Sequence, residues 1–403
     1  MGQETEVRLT VEKHGQFEVL KAVAAKRMTQ VAAAHALGMS VRWVWELARR
    51  VKTQGARALV HGNTGRPSNH RLKDELEARI LELYREKYDG FNLSHFQDML
   101  LSQEKLKPPC RESLRKLLMK AGLWQRQRSA PKHRQRRPRR EYEGDMLQMD
   151  GSEHHWFGED RPRVCLVGAI DDATSEVVAV GFFEAETTEA YFQILKEILR
   201  KRGVPREIYS DLDSIFLVHD RKKREEALER GGKAKTQFGR ALDELAIGWI
   251  PAYSPQAKGR IERLWRTFQD RLLKELALKG IVTLREANVY LKRTFLPAYN
   301  RKFKRAAAKP GRVYRQAPLY RQLEGILAWK ETRKLPRDHA FRFEGKIWQV
   351  LPSDRVRALT GKRIEVRRTL RGAVQAWSGS SRLAIRRGPD EVQPTAAKPE
   401  VST

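Results

Sequence analysis

The sequence predicts a multidomain chain: N-terminal all-α helix-turn-helix modules, a central α/β core with a mixed sheet, and a C-terminal small β-barrel. Three observations carry this. Apolar residues recur at three-to-four spacing through residues 17–124, the period of amphipathic helices. From 141 onward apolar strand-like runs alternate with helical ones, the signature of an α/β layer. From 335, segments of alternating polarity are separated by Gly turns, as in small antiparallel β modules.

The bulk numbers bound the class of partner. The chain has 403 residues, ample for several cores, and 80 Lys plus Arg against 50 Asp plus Glu, a formal charge of +30. Such a charge speaks of a polyanionic partner rather than of a fold, and nucleic acid is the first candidate. A membrane surface is the competitor, but no run approaches the roughly 20 apolar residues that span a bilayer. The start, "MGQETEVRLTVEKHGQ", has no apolar signal segment. Cys110 and Cys165 are the only cysteines and form neither a C-x-x-C pair nor a disulfide framework. A reducing cytoplasm fits.

Residues 1–60 read as a helix-turn-helix domain. Ala34 is small where two helices would touch, Gly38 suits a turn with positive φ, and Val44 anchors the second helix. Ser40 is placed to cap that helix. Its outward positions include Arg42, Trp45, Arg49 and Arg50, residue types suited to a DNA groove. An ordinary three-helix bundle with a Gly turn is the competing account.

Residues 61–125 read as a linker followed by a second helix-turn-helix-like domain, or a helical spacer. Within "HGNTGRPSNHRL", Arg66 between Gly65 and Pro67 could enter a narrow minor groove, or belong to a plain linker. Helices follow at "LKDELEARILELYREKY", at "NLSHFQDMLLSQEKL" with Ser94 as cap, and at "CRESLRKLLMKAGLW", stopped by Gly122. Residues 126–140, "RQRSAPKHRQRRPRR", hold eight Lys or Arg and no acid. They cannot form a core, and Arg136 and Arg137 belong to a basic linker that tracks phosphates.

Residues 141–305 form the α/β core. "GDMLQMDGS" is a strand ending at Asp150. "PRVCLVGAIDD" and "SEVVAVGFFE" are strands joined by an Asp-rich turn, in which Asp171 and Asp172 are turn residues. "TTEAYFQILKEILRKRG" is a capped amphipathic helix, "PREIYSDLD" a strand ending at Asp211, "TQFGRALDELA" a helix and "IGWIPA" a strand. "KGRIERLWRTFQDRLLKELALKG" is a long helix whose apolar stripe is Ile261, Leu264, Trp265, Phe268 and Leu272; Glu262 sits at its margin. Residues 306–334 read as a basic linker, 335–388 as the small β-barrel with Arg-rich strands, and 389–403 as a disordered tail.

Strand ends of α/β sheets are where sites form, so Asp150, Asp211 and Glu262 could converge. Converging carboxylates repel and call for divalent cations. Hard oxygen ligands suit Mg²⁺ or Mn²⁺, and two such ions roughly 3.5–4 Å apart clamp the two oxygens of an in-line phosphoryl displacement.

"QMDGS", "YSDLDSIF" and "PAYSPQAKGRIERLWRTFQDRL", in this order, resemble the DDE integrase/transposase superfamily. The likeness is strongest over 145–280, where Ser254-Pro255-Gln256, Gly259 and Glu262 stand together, and Asp211 and Glu262 are 51 positions apart. With the N-terminal modules the chain resembles insertion-sequence transposases of the ISNCY-type group, related to retroviral integrases. The resemblance implies an RNase H-like core, a metal triad of Asp150, Asp211 and Glu262, two Mg²⁺ or Mn²⁺ ions, and cleavage and joining of DNA ends. It implies double-stranded DNA partners (transposon ends and target), a homodimer or higher oligomer on that DNA, and a cytoplasmic, nucleoid-associated location. Departures are Asp211-Leu212-Asp213 where many relatives read Asp-Asn-Gly, so that Asp213 competes with Asp211 as a ligand, and the missing N-terminal His/His/Cys/Cys zinc module. The stretch 219–235 has no regular counterpart in compact relatives.

Around the triad, Lys258 and Arg266 could meet phosphates, as basic residues on this helix do in the family; a solvated helix face is the alternative. Trp265 reads as core, His154 and His155 as surface residues with a third-ligand or proton-shuttle role as the alternative, and Gln256 with Gly259 as a loop near the substrate. The competing functions are a catalytically inactive DNA-binding regulator derived from a transposase and an RNase H-like nuclease.

Overall fold

The computed structural model describes residues 11–61, 63, 72–125, 137–229, 234–252 and 259–388. Two compact units partition the chain, Met1–Ile80 and Leu81–Thr403.

In the first unit, α1 (Val11–Ala24), α2 (Gln30–Leu37) and α3 (Val41–Gln54) enclose a core of Leu20, Val23, Ala33, Ala34, Val44, Leu47, Ala48 and Val51. Thr29 caps α2 through the Ala32 amide, and Ser40 caps α3 through the Trp43 amide. Between them Gly38 ends α2 at φ +62°, a left-handed conformation that costs glycine least. The expected turn is therefore present, residue by residue.

α4 (Asp74–Glu86), α5 (Leu93–Ser102) and α6 (Arg111–Lys120) follow. Asn92, not Ser94, caps α5, accepting from the His95 amide at 2.9 Å. Asn92 sits where the chain is still extended, while Ser94 is already inside the helix and bonds to Arg271 and Lys302.

A five-stranded sheet makes the core. Its strands are β1 (Met146–His154), β2 (Val164–Asp171), β3 (Val177–Phe183), β4 (Glu207–Ser210) and β5 (Gly248–Pro251), in the order β3-β2-β1-β4-β5. β1, β2 and β3 form an antiparallel meander, and β4 and β5 run parallel to β1. The mixed sheet is thus as expected. Asp150 does not end its strand: β1 continues four residues to His154, paired with Val164. Polar Ser152, Glu153 and His154 stay in the ladder because the antiparallel strand β2 supplies partners down to Val164.

One face of the sheet packs on α7 (Thr188–Lys201) and α9 (Gln237–Glu244), burying Phe192, Leu195, Ile198, Phe238 and Leu242; α8 (Arg221–Glu229) lies between these helices in sequence, inside the stretch 219–235. The other face packs on α10 (Ile261–Leu278), α11 (Leu284–Tyr290) and α12 (Leu296–Phe303), burying Ile261, Leu264, Trp265, Phe268 and Leu272. A π turn, Leu291–Phe295, links α11 to α12. On the outer edge, the side-chain amide of Asn288 both donates to and accepts from the Phe182 backbone, and that of Asn300 does the same for Val177. α5 rests on α10 through Arg271 to Asp98 at 2.7 Å and buried His95 to Glu275 at 2.8 Å.

The C-terminal strands depart from the expected barrel. α13 (Tyr320–Ile326) and β6 (Trp329–Lys334) lie in the stretch read as a basic linker. β7 (Ala340–Phe343), β8 (Lys346–Val350), the one-turn α14 (Asp354–Arg357), β9 (Arg363–Arg368), β10 (Val374–Ser378), β11 (Ser381–Leu383) and β12 (Ile385–Arg387) follow. They form two open sheets, β11-β10-β9-β6 and β12-β8-β7, around one core of Leu335, Phe341, Phe343, Val350, Ile364 and Val366. Among the described residues no closed barrel exists, because β12 joins β8 instead of continuing the β10–β11 hairpin. Gln237 anchors this module to α9 by bonding both the amide and the carbonyl of Lys330.

Candidate active site

The site is built on β1. Its parallel pairing with β4 sets Met146 against Glu207, Leu147 against Ile208 and Gln148 against Tyr209. Asp150 lies two residues beyond Gln148, and Asp211, which directly follows β4, lies two residues beyond Tyr209.

Glu262 arrives on the first turn of α10. The side-chain oxygen of Gln148, two residues before Asp150, accepts from the Ile261 amide at 3.3 Å, so this helix end is held against β1. Three residues past Glu262, the Trp265 indole Nε1 donates to Asp150 Oδ2 at 3.0 Å. Gly168, the β2 partner of Asp150, makes room for that indole. A Cβ there would lie 3.0 Å from the Trp265 ring. Trp265 is core, as expected, and also orients the first acid.

The three acids thus stand on adjoining parts of the core: on β1, directly after β4, and in the first turn of α10. Among the described residues, however, no three Asp, Glu, His or Cys side chains stand close enough to hold one metal ion. Asp213 serves its own turn: its Oδ1 accepts from the Ile215 amide at 2.9 Å, and its amide donates to Asp211 Oδ1 at 3.3 Å. His155 is engaged at the surface with the Arg161 carbonyl and Arg163.

A fourth carboxylate escaped the sequence reading. Glu186 precedes Thr187, the cap of α7, and its carboxyl group fills the space over Gly151, where a Cβ would be only 2.5 Å from both its oxygens. The Tyr191 hydroxyl, buried in the α7 face, donates to Glu186 Oε1 at 2.5 Å. Burial pushes the Glu186 carboxyl above its ordinary range, and the charges of Asp150, Asp213 and Asp211 push it further. The Tyr191 phenol is driven far upward by burial and by the Glu186 and Asp150 charges. The only sequence signal was an acid beside a helix cap, which helix-dipole attraction explains equally well.

The residues expected to meet DNA stand in different settings. Arg42, Trp45, Arg49 and Arg50 are exposed on α3, with Arg49 over the Trp45 ring at 5.6 Å and Arg50 paired with Glu46 at 2.9 Å. Arg266 is exposed on α10. Arg137 is ion-paired to Asp172 and stacks over Tyr209. Arg66, Arg136 and Lys258, like Ser254, Pro255 and Gln256, lie outside the described residues.

Asp171 and Asp172 divide the turn between them. Asp171 accepts from the Thr174 amide at 2.8 Å, the turn role expected of it. Asp172 is fully buried and does more. It accepts from Arg137, the Arg140 amide, Gln148 and Arg260, the last at 2.6 Å. It thereby ties the end of the basic run and the start of α10 to β1.

Fold and site together define a protein with an N-terminal helix-turn-helix and an α/β core built on a mixed five-stranded sheet. A winged helix-turn helix family model matches residues 17–78. The chain is 38% identical over 368 residues to "Putative transposase y4bF" of Sinorhizobium fredii, covering 91% of this chain and 79% of that protein. It is 29% identical to the transposase for insertion sequence IS1202 of Streptococcus pneumoniae, over 92% of this chain and 83% of that one. Solved structures with some likeness are the HTLV-2 integrase catalytic core domain in complex with magnesium (TM-score 0.28, 16% identity, 37% of this chain, 85% of that) and a simian T-cell lymphotropic virus intasome in complex with PP2A regulatory subunit B56 gamma (TM-score 0.34, 13% identity, 77% and 100%). The chain belongs to the insertion-sequence transposases, and so to the polynucleotidyl transferases. Among the described residues no helix is long and apolar enough to cross a membrane.

Proposed function

We propose that this chain is a DDE transposase that binds the terminal inverted repeats of its element, cleaves the 3′ ends and joins them to target DNA, with Asp150, Asp211 and Glu262 holding two Mg²⁺ or Mn²⁺ ions. The observation that supports the reading is the parallel β1–β4 register, Gln148 against Tyr209, with Asp150 and Asp211 each two residues further on and the Ile261 amide, next to Glu262, bonded to Gln148. The donors are all carboxylate oxygens, which fit a hard divalent cation. Bound there, the ions would supply charge stabilisation for the attacking and leaving oxygens of a phosphoryl displacement.

The chain's own residues orient and bind. Trp265 fixes the Asp150 carboxylate, and Gln148 fixes the end of α10. Arg42, Trp45, Arg49 and Arg50 enter a DNA groove, while Arg66, Arg136, Arg137, Lys258 and Arg266 meet phosphates. The working form is a homodimer or higher oligomer on DNA, in the nucleoid of the cytoplasm.

Incubating the full chain with its own flanking genomic DNA and Mg²⁺, then mapping new 3′ ends, tests this. Breaks at the element's termini are expected. An inert protein that still binds those termini would favour a DNA-binding regulator. Preferential cutting of an RNA–DNA hybrid would favour an RNase H-like nuclease.

A further inference from the structure

The outward side of α3 carries an ordered row of side chains. Val44, Leu47, Ala48 and Val51 make its buried face. At about 3.6 residues per turn, the opposite side runs, around the helix, from Trp45 through Arg49, Glu46 and Arg50 to Trp43. Trp45 and Trp43 are 49% and 45% exposed, large apolar surface that a merely solvated helix does not need. The Arg49 guanidinium lies over the Trp45 ring at 5.6 Å, and that of Arg50 over the Trp43 ring at 5.8 Å. Glu46, the only acid of this helix, stands between them. It accepts from Arg50 Nε at 2.9 Å and has Arg49 Nε 4.0 Å away. Each guanidinium thus turns Nε toward the carboxylate and lies over an indole, and neither spends its terminal nitrogens on Glu46.

We propose that Arg49 and Arg50 read guanines in the major groove of the element's termini, and that Glu46 and Trp43 are positioning residues that hold the two forks in place. This deepens the groove reading above and rests on it. The terminal nitrogens of an arginine fork match guanine O6 and N7, the commonest specific contact in the major groove. Holding an exposed arginine in one pose costs rotamer freedom. An indole on one side and a carboxylate on the other impose that order before DNA arrives, which favours binding. A helix face that only tracked phosphates would be weakened by a carboxylate at its centre. One Glu–Arg pair at i,i+4 would steady the helix without an exposed indole on each flank.

The test is a fluorescence-anisotropy titration of the full chain with duplexes from the element's termini, made with guanine or with 7-deazaguanine, which still pairs with cytosine but lacks N7. An unrelated duplex is titrated beside them. The unaltered chain is expected to bind the 7-deazaguanine termini at least about fivefold more weakly, the lower end of what a bidentate base contact contributes. Glu46→Gln is expected to lower the ratio of affinities for termini and unrelated DNA by about as much. It should also blunt the response to 7-deazaguanine, because both changes act on one contact. Trp43→Leu lowers the same ratio through Arg50 and is the second variant should one fold poorly, with thermal unfolding as the check on both. If Glu46→Gln weakens binding to both duplexes alike and the ratio holds, Glu46 only steadies α3 and its positioning role is overturned. Selective binding of the termini that ignores 7-deazaguanine overturns the guanine contacts and leaves the groove reading standing. If the unaltered chain has no preference for its termini, the groove reading falls and this inference with it.

Discussion

The indole Nε1 of Trp265 donates to Asp150 Oδ2 across β2, through the space left by Gly168. One bond thus joins a core residue of α10 to the acid at the middle of β1, three residues from Glu262. Trp265→Phe should keep the packing and lose the bond. We expect about 1 kcal/mol of stability to go and DNA cleavage to slow about tenfold, since a freed carboxylate samples other rotamers. Denaturant unfolding and single-turnover cleavage check both. Unchanged cleavage would make the bond purely structural.

Asp150→Asn, Asp211→Asn and Glu262→Gln should each abolish cleavage, a loss of at least about 10³-fold, and leave DNA binding within about twofold, because none of them contacts a groove. Gel-shift and cleavage assays on the same preparations separate the two effects. Retained cleavage in any variant removes that acid from the metal site.

Arg260→Ala should cost about 3 kcal/mol, the lower part of the range for breaking a buried ion pair. Arg137 and Gln148 remain to solvate Asp172, which keeps the loss from being larger. Chemical unfolding measures it. A loss below about 1 kcal/mol would mean that water reaches Asp172.

Trp45→Ala and Arg49→Ala alter exposed residues, so folding should be unchanged while affinity for the element's termini falls by about 1–3 kcal/mol each. Arg49→Ala should also flatten the salt dependence of binding. Equal weakening on unrelated DNA would turn these into phosphate contacts. Deleting residues 1–60 is the matching truncation. Extending the deletion through 125 would strip α5 from α10 and break the Asp98–Arg271 and His95–Glu275 pairs.

The Glu186 carboxyl has a raised pKa in the folded chain, chiefly through burial. The folded state then holds its proton over a pH range where the unfolded chain has released it. Metal-free stability should therefore fall as pH rises from the ordinary carboxylate range through the raised value, and stay lower above it. Thermal midpoints in chelator across that range should show this decline, Glu186→Gln should flatten it, and Mg²⁺ should restore stability at neutral pH. A flat profile in the unaltered chain would contradict the burial of this group.

Much of this was legible because it is local. Ser40, Gly38 and the stripe from Ile261 to Leu272 announce a cap, a left-handed turn and a buried helix face, each decided within a few residues. The family motif pointed to Asp150, Asp211 and Glu262. What escaped depends on distant partners. β1 outlasts Asp150 because β2 is there to pair with it. Asn92 takes the cap of α5 because Ser94 is engaged by α10 and α12. Asp172 becomes an ionic hub only when residues from 137 to 260 gather around it. Glu186 gains meaning only once Gly151 lies beneath it. The C-terminal strands alternate correctly, but which strand closes on which is set by pairing that alternation does not encode.

The paired amides of Asn288 and Asn300 imitate a neighbouring strand along β3, meeting its main chain near both ends. A foreign strand arriving there would find its docking row already taken. At this edge the sheet is thus closed to strand addition at Val177 and Phe182.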